Sequence, residues 1–266
     1  MLLAESLFDT RSYAHNAIFS NTEPVWSALN RLKGYMDSYP YPSEILKPIA
    51  DGIPLVEPLV LFENRLIPAK ECEITLGDTN KGTLVILQNG NRLDGASLIM
   101  AGAILVGTNF AIGRGSLIEG GTTIKEPAII GNFTEVRQGA YMRGYCLVGD
   151  RCVVGHTTEV KHSVFLDDAK AGHFAYLGDS ILGNNTNLGA GTKLANLRFI
   201  SGNVGIVIDG KLQDTGRRKL GAIIGDQAQT GCNSVTSPGT ILGKSSVVMP
   251  NTTAPSGYHR DRSRVR

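Results

Sequence analysis

Aliphatic side chains recur at every sixth position through the middle of the chain. Between residues 100 and 160 this period is unbroken, with Met100, Val106, Ile112, Ile118, Ile124, Ile130, Val136, Met142, Val148, Val154 and Val160. Since such residues fill about a third of positions in an average protein, the chance of this run is on the order of one in 10⁵. The period continues, shifted after residues 160 and 177, through Phe165, Ala171, Leu177, Leu182, Leu188 and Leu194. It resumes after a break with Ile224, Thr230, Thr236, Leu242 and Val248.

A six-residue period of this kind predicts a left-handed parallel β-helix. In that fold three short strands form a triangular coil of about 18 residues, and each strand points one aliphatic side chain inward. Coils stack through parallel hydrogen bonds at about 4.8 Å, so residues one coil apart lie above one another. The period predicts about seven such coils. Glycine often follows the aliphatic residue, as at Gly113 and Gly131, where we expect the chain to turn a corner.

The sequence before the repeat predicts a different kind of structure. A helix is expected to begin near Thr22, with Pro24 in its first turn and an apolar stripe made of Val25, Leu29, Leu32 and Met36. The proline-bearing stretch that follows has room for a short helix from Ser43 to Ala50, and strand-like runs occupy 58–62 and 83–88. The chain therefore divides into a helical appendage at 1–57, a β-rich connection at 58–93, a β-helix at 94–250 interrupted at 198–221, and a basic tail at 251–266.

Composition and charge exclude several kinds of function. The 266 residues carry 26 basic and 24 acidic side chains, a net charge of +2, which disfavours general binding to nucleic acid. The first residues lack the basic region of a secretory signal, and the longest apolar stretch, 98–107, is far shorter than the ~20 residues that cross a bilayer. The four cysteines form no CxxC pair, which favours reduced thiols. We therefore expect a cytoplasmic protein without nucleic-acid or membrane partners.

Three basic residues share one register of the predicted solenoid. Lys125, Arg143 and Lys161 take the same position in three successive predicted coils, with no shift of the period between them. They should therefore stand above one another on one face, about 5 Å apart. Stacked like charges are unfavourable unless acidic side chains or an anionic ligand compensate them, so we expect a phosphate or carboxylate site. The alternative is a chance alignment of surface residues.

The histidines offer two kinds of chemistry. His156, His162 and His173 have the ligand type that zinc prefers, but their spacing puts consecutive ones on different faces, which disfavours a metal site. His173 lies in KAGHFAYLGD, where the period shifts, and a neutral imidazole there could accept a proton near pH 7. A structural role is the alternative for this single histidine. The GAG at 189–191 is weak evidence for a phosphate loop, because corner glycines of the solenoid explain it better.

A family resemblance emerges over the same residues. The stretch TEVKHSVFLDDAKAGHFAYLGDSILGNNTNLGAGTKLAN, 158–196, resembles the acetyltransferase half of the bacterial bifunctional enzyme that makes UDP-N-acetylglucosamine. DTGRRKLGAIIGD, 214–226, is similar to archaeal sugar-1-phosphate nucleotidylyltransferases that carry the same acetyltransferase half. The resemblance covers roughly residues 95–250. It implies a homotrimer that uses acetyl-CoA, without a metal, to acetylate the amino group of an amino-sugar 1-phosphate, in the first place glucosamine-1-phosphate.

The resemblance also implies roles for individual residues. His173 would be the general base that deprotonates the substrate ammonium. The phosphorylated amino sugar would be bound by Arg143, Lys161, Tyr176, Asn187 and Lys219. Acetyl-CoA would be bound by Ala190, Asn196, Cys232, Pro250 and Arg264.

The sequence departs from the family pattern in ways that leave a second function open. Leu197 replaces an aromatic residue, Cys232 replaces a serine, and segment 198–221 is longer than its bacterial counterpart. The signature LxxGxGTR does not occur, so we expect the acetyltransferase half without a nucleotidyltransferase domain. The alternative function is a non-catalytic trimeric scaffold that binds sugar phosphate or partners a separate nucleotidyltransferase.

Overall fold

The repeat folds into a parallel β-solenoid of about nine turns in a computed structural model, which describes residues 1–49 and 51–266. About 11% of the chain is helical, and the predicted fold class, a left-handed parallel β-helix with a small N-terminal α/β appendage, is confirmed. The turns outnumber the seven coils that the period predicts because strands also form before residue 100 and beyond residue 248.

Each turn contributes strands to three parallel faces. The first face contains Ser97–Ile99, Leu117–Ile118, Glu135–Val136, Val153–His156, Lys170–His173, Asn187–Leu188, Gln229–Thr230, Val247–Val248 and Arg264–Val265. The second contains Ile104–Val106, Thr123–Lys125, Tyr141–Arg143, Glu159–Lys161, Tyr176–Gly178, Lys193–Leu194, Val235–Thr236 and Thr253–Ala254. The third contains Phe110–Ile112, Ala128–Ile130, Cys146–Val148, Ser163–Phe165, Ile181–Leu182, Ala222–Ile224, Thr240–Leu242 and Gly257–His259.

The buried interior follows the predicted period from residue 118 to residue 248. The first coil differs, because Ile99 pairs with Ile118 and Leu105 with Ile124, so this coil is one residue longer than the period predicts. Successive side chains of a strand point to opposite sides, and the added residue therefore exchanges the inward and outward positions. Ile99 and Leu105 enter the core, and the prediction that Met100 and Val106 do so is wrong.

The glycines that follow the aliphatic positions are required by the spacing of the coils. A Cβ atom on Gly113 would lie 2.5 Å from the carbonyl carbon of Gly131, and one on Gly131 would lie 2.3 Å from the carbonyl oxygen of Gly149. The left-handed backbone of the nearby corners is taken instead by Phe133 and Arg151, each with φ of +54°. These glycines thus permit close approach of neighbouring coils, whereas the expected role in turning the corner falls to other residues.

The N-terminal segment covers the third face. Its main helix, Ser27–Asp37, begins later than the expected start near Thr22, and no side chain caps it. The predicted apolar stripe is buried. It belongs to a cluster with outward side chains of the third face, which include Ile129, Leu147, Val164, Ile181, Ile223 and Ile241.

The remaining helices are short. They are Ala4–Leu7 and Ser43–Leu46, with 3-10 turns at Asn16–Ile18, Ala69–Glu71 and Thr79–Lys81. The helix predicted over 43–50 therefore ends at Leu46, and Ala50 lies outside the described residues. Throughout the described ranges, no helix combines the length and apolar character needed to cross a membrane.

The connection at 58–93 forms two small antiparallel structures. Leu59–Phe62 and Arg65–Pro68 pair with each other and extend the first face beyond Ser97–Ile99. Glu73–Thr75, Val85–Gln88 and Asn91–Arg92 form a separate three-stranded sheet. The segment between its first two strands reaches over the first face, where the candidate site lies.

The interruption and the C-terminal residues are both ordered parts of the fold. Segment 198–221 contains a hairpin, Gly205–Ile208 and Lys211–Asp214, whose buried residues join the cluster on the third face. Residues 251–266, set apart above as a basic tail, instead add one strand to each face. The solenoid thus continues to Val265.

Candidate functional site

The register of the solenoid aligns four predicted site residues at the corner where the first face meets the second. His173 pairs with His156 of the preceding coil. Ala190, Cys232 and Pro250 occupy the same corner in the three coils that follow, at about 4.8 Å per coil. Backbone hydrogen bonds of 2.8–3.0 Å fix this alignment, donated by Gly191 to His173, by Asn233 to Ala190 and by Asn251 to Cys232. We call the four residues His173, Ala190, Cys232 and Pro250 the corner column.

A groove with a cavity volume of about 440 Å³ runs along the first face beside the corner column. The groove is lined by four residues to which the resemblance assigns a role, namely His173, Asn187, Ala190 and Cys232. Its floor includes the bare backbone of Gly172, where a Cβ atom would project into open space. The groove therefore has room for an extended ligand that passes the imidazole.

The His173 side chain is exposed at the mouth of this groove. Its ring centroid lies 6.4 Å from that of Phe174, which in turn makes an edge contact with His156 at 5.3 Å. The His156 Nδ1 donates to the carbonyl oxygen of Gln138, 2.9 Å away. Sequence reasoning missed His156 as a neighbour of His173. The signal was available, because the shift in period shortens the coil between them by one residue, which brings the two histidines into register.

One end of the groove is closed by segment 78–81, which the period does not cover. The N–H of the buried Thr79 donates to Glu135 Oε1 at 2.8 Å, which anchors the segment on the first face. Glu135 Oε2 also accepts from Arg137, with its Nη2 at 2.6 Å. Lys81 and Lys170 also line the groove. None of these residues was predicted from the sequence, because their proximity depends on how a separate segment docks.

The predicted ladder of Lys125, Arg143 and Lys161 exists on the second face. Lys125 pairs with Arg143, and the next strand continues the register to Lys161. Acidic neighbours compensate part of the charge: Arg143 Nη1 lies 2.6 Å from Glu159 Oε1, and Lys161 Nζ lies 3.7 Å from Asp179 Oδ2. The Glu159 carboxylate raises the pKa of the Arg143 guanidinium. The sequence left open whether acidic side chains or an anionic ligand compensate the positive charge of the ladder. Acidic side chains compensate part of it, and an anionic ligand can still bind to the rest.

A buried polar network connects Tyr176 and Asn196 with this ladder. The Tyr176 hydroxyl donates to Asn196 Oδ1 at 3.3 Å, and Asn196 Nδ2 donates to Asp179 Oδ2 at 2.7 Å. Arg217, from the inserted segment, donates to Asp179 Oδ1 at 3.1 Å. Burial lowers the pKa of Arg217, although Asp179 opposes that shift, and burial raises the pKa of Tyr176. Both ends of the Asn196 amide are thus engaged within the protein.

The last two predicted residues lie further from the groove. Lys219 belongs to the inserted segment, where its carbonyl oxygen accepts from Arg217 Nε at 3.1 Å. Arg264 lies on the first face in the same outward register as Asn187, three coils away. Within one chain the other predicted residues therefore form two groups, one along the corner and groove, the other on the second face.

The side chains of metal-ligand type and the four thiols are placed as follows. No group of three or more His, Cys, Asp or Glu side chains within residues 1–49 and 51–266 is arranged to hold a metal ion. All four cysteines are free thiols. Burial raises the pKa of the Cys146 thiol to about 12, whereas Cys232 is exposed on the corner column.

The fold and the groove define a class of protein, a hexapeptide-repeat β-helix with a histidine at the corner between two faces. Residues 124–213 match the family model described as GMPPB C-terminal domain. The bifunctional sugar-1-phosphate nucleotidylyltransferase/acetyltransferase of Sulfurisphaera tokodaii is 42% identical over 88 residues, which are 33% of this chain and 22% of that protein. The bifunctional protein GlmU of Methanococcus maripaludis is 44% identical over 89 residues, 34% of this chain and 21% of that protein.

These matches confirm the resemblance inferred from the sequence: the C-terminal part of this chain is homologous to sugar-1-phosphate nucleotidylyltransferases of the GlmU type. The chain spans about a fifth of the length of these relatives, and the match does not cover their nucleotidyltransferase domain. A UDP-N-acetylglucosamine acyltransferase from Francisella novicida is similar in structure, with a TM-score of 0.39 and 17% identity over 59% of this chain and 58% of that one.

Proposed function

We propose that this protein transfers the acetyl group of acetyl-CoA to the amino group of an amino-sugar 1-phosphate, in the first place glucosamine-1-phosphate. One observation carries the proposal. The residue proposed as general base, His173, and three residues proposed to contact the coenzyme stand in one column beside a continuous groove. That arrangement suits an extended thioester whose reactive carbon must lie within reach of the imidazole.

The proposed reaction has two steps. The His173 imidazole removes a proton from the substrate ammonium, and the free amine attacks the thioester carbonyl carbon. The tetrahedral intermediate then expels the coenzyme thiolate, which takes up a proton as the amide forms. The Ala190 N–H lines the groove and donates to no other backbone group of the described residues, so it is free to stabilise the oxyanion.

The second face supplies the binding groups for the acceptor in this proposal. Arg143 and Lys161 hold the sugar phosphate, and Tyr176 contacts the sugar, with Lys219 and Asn187 adding polar contacts. The ladder of cations supports the assignment, because its acidic partners leave donor groups of both side chains unused. The groove and the ladder lie on adjoining faces, which suits a site that two copies of the chain complete in a homotrimer.

A non-catalytic sugar-phosphate-binding scaffold remains the competing function. The observation in its favour is Asn196, proposed to contact the thioester, whose amide instead holds Tyr176 and Asp179. Cys232, which stands where the family has a serine, also favours the scaffold.

A paired experiment separates the two functions. Purified protein is incubated with acetyl-CoA and glucosamine-1-phosphate, and released thiol is measured alongside the melting temperature with each ligand alone. Acetyl transfer predicts thiol release that requires both substrates, and a higher melting temperature with either ligand, because ligands that bind only the folded state stabilise it. Stabilisation by the sugar phosphate alone, without thiol release, would favour the scaffold.

A further inference from the structure

Three cations line the groove on the side where segment 78–81 docks. Lys81 lies there on segment 78–81, whereas Arg137 and Lys170 extend from the first face. Lys170 belongs to the same coil as His173, and Arg137 lies two coils earlier. The coenzyme residues proposed above lie on the other side of His173, in the coils that follow it.

Only part of this positive charge is neutralised. Lys81 Nζ lies 2.6 Å from Asp78 Oδ2, and Arg137 Nη2 lies 2.6 Å from Glu135 Oε2. Arg137 reaches Glu135 through Nε and Nη2, so its Nη1 is available to a ligand. Lys170 forms no ion pair within the described part of the chain, although Lys81, Arg137 and Lys170 all lower the pKa of Asp78. The three cations therefore outnumber the two carboxylates beside them, Asp78 and Glu135.

The wall that holds Lys81 is fixed in place. Thr79 is fully buried, and its N–H donates to a Glu135 carboxylate whose side chain is only 5% exposed. The same carboxylate orients Arg137 through its other oxygen. Donors positioned before the ligand arrives bind it with a smaller loss of conformational entropy. A preorganised set of cationic donors at this spacing suits a phosphate group.

We propose that Lys81, Arg137 and Lys170 form a phosphate-binding subsite for the acceptor. The assignment rests on the proposed function in that it takes His173 as the position of the reacting amine. Because the proposed coenzyme residues lie in the coils after His173, whereas Arg137 and Lys170 do not, a phosphate held by these cations belongs to the acceptor and not to the coenzyme. In the two-copy site proposed above, the single phosphate of the acceptor then lies between these cations of one copy and the second-face ladder of the neighbouring copy.

Isothermal titration with glucosamine-1-phosphate and, separately, with acetyl-CoA tests the subsite. Lys170→Ala and Lys81→Ala should each raise the Kd for glucosamine-1-phosphate about tenfold, as expected for loss of a charge-assisted contact. The Kd for acetyl-CoA should stay unchanged, and Lys170→Arg should retain most of the acceptor affinity. Lys211→Ala, which removes an exposed lysine from the inserted hairpin, is the matched control and should change neither Kd.

Each contrary result has a distinct meaning. Equal weakening of acetyl-CoA and glucosamine-1-phosphate would assign the phosphate to the coenzyme and overturn the proposal. Unchanged acceptor affinity in both alanine variants would overturn it too, as would failure of the unaltered protein to bind either glucosamine-1-phosphate or inorganic phosphate. If the unaltered protein binds glucosamine-1-phosphate through Lys170 yet releases no thiol from acetyl-CoA, the subsite stands and acetyl transfer fails.

Discussion

At the scale of single residues, the proposed general base lies apart from the residues that stabilise the fold. His173 ends a strand of the first face, and the next residue, Phe174, takes a left-handed φ of +52° that turns the chain toward the second face. The imidazole is therefore presented to solvent, while its neighbour Ala171 fills the core. Changes at His173 should consequently affect catalysis far more than folding.

Replacement of His173 by alanine tests this separation. We expect His173→Ala to lower kcat by about 10²–10⁴-fold, the usual value of a general base, because the ammonium then keeps its proton. Thiol release measures kcat, and thermal unfolding measures stability, which should be nearly unchanged. His259→Ala, on the third face near the end of the solenoid, serves as the control and should retain activity. Near-normal kcat in His173→Ala would exclude the assigned role.

Arg143 tests how the acceptor is held. Because a charge-assisted contact contributes about 1.5–3 kcal/mol, Arg143→Ala should raise the Kd for glucosamine-1-phosphate roughly ten- to a hundredfold. Because Arg143 also forms an ion pair with Glu159, we expect an increase in Kd near the lower end of that range. Titration with unphosphorylated glucosamine is the control, and it should show weak binding that the substitution does not change. Equal affinity of the unaltered protein for both sugars would argue that the ladder is only surface charge.

At the scale of elements, the distance between coils limits which residues can stand in a column. Gly113 and Gly131 face the backbone of the next coil at distances that exclude a Cβ atom. Gly34, by contrast, lies on the exposed side of helix Ser27–Asp37, and a Cβ atom there would meet nothing within 4 Å. We therefore expect replacement by alanine to change the stability of the protein in opposite directions at these two kinds of glycine.

We expect Gly113→Ala to destabilise the protein by about 1–3 kcal/mol, the usual effect of forcing an atom into a packed region. Gly34→Ala should instead stabilise it by about 0.5–1 kcal/mol, since alanine favours the helix over the unfolded chain. Urea unfolding of both variants measures the difference. A neutral Gly113→Ala would show that adjacent coils can move apart at little cost.

The contact between the N-terminal helix and the solenoid makes stability depend on pH. His162 Nε2 donates to the carbonyl oxygen of Leu29 at 2.9 Å, and burial lowers the pKa of His162 below its usual value. Asp179 and the hydrogen bond to Leu29 oppose this shift, whereas Arg217 and Lys161 add to it. The unfolded state then binds more protons than the native state, so this contribution to stability is present above about pH 6.5 and is lost as pH falls below it.

Urea unfolding between pH 5.5 and pH 7.5 measures this effect. The free energy of unfolding should rise with pH over this interval, and the rise should be smaller in His162→Gln. His15 is also buried, and burial lowers its pKa. The rise in the free energy of unfolding with pH should therefore be smaller in His15→Gln as well. An identical pH dependence in the unaltered protein and both variants would contradict the assignment.

At the scale of the whole molecule, one of the three faces is already occupied. The N-terminal segment and the inserted hairpin cover the apolar outward side of the third face. The connection at 58–93 covers part of the first face, so the rest of that face, with the groove, and the second face, with the cation ladder, remain for contact between copies of the chain. The covered face thereby restricts how a trimer could form.

We expect a homotrimer at micromolar concentration, with a mass about three times the chain mass of 28.4 kDa. Light scattering after size-exclusion chromatography measures it. Substitution of Arg143 or His173, which are exposed, should leave the mass unchanged. A stable monomer would count against a site that two copies complete, although the groove within each chain would persist.

The six-residue period by itself determined the fold class and most of the interior, because one inward side chain per strand is a local property of the chain. It also placed Lys125 above Arg143, since stacking follows from residue spacing alone. The role of His173 came from the resemblance over 158–196, which the relatives support without testing the residue.

Tertiary structure decided what the period does not encode. The extra residue in the first coil and the final coil at 251–266 each depend on register between coils. The closed end of the groove depends on a contact between Thr79 and Glu135, which are far apart in the sequence. No local pattern specifies such a contact, because it forms only when a separate segment packs its side chains on a finished face.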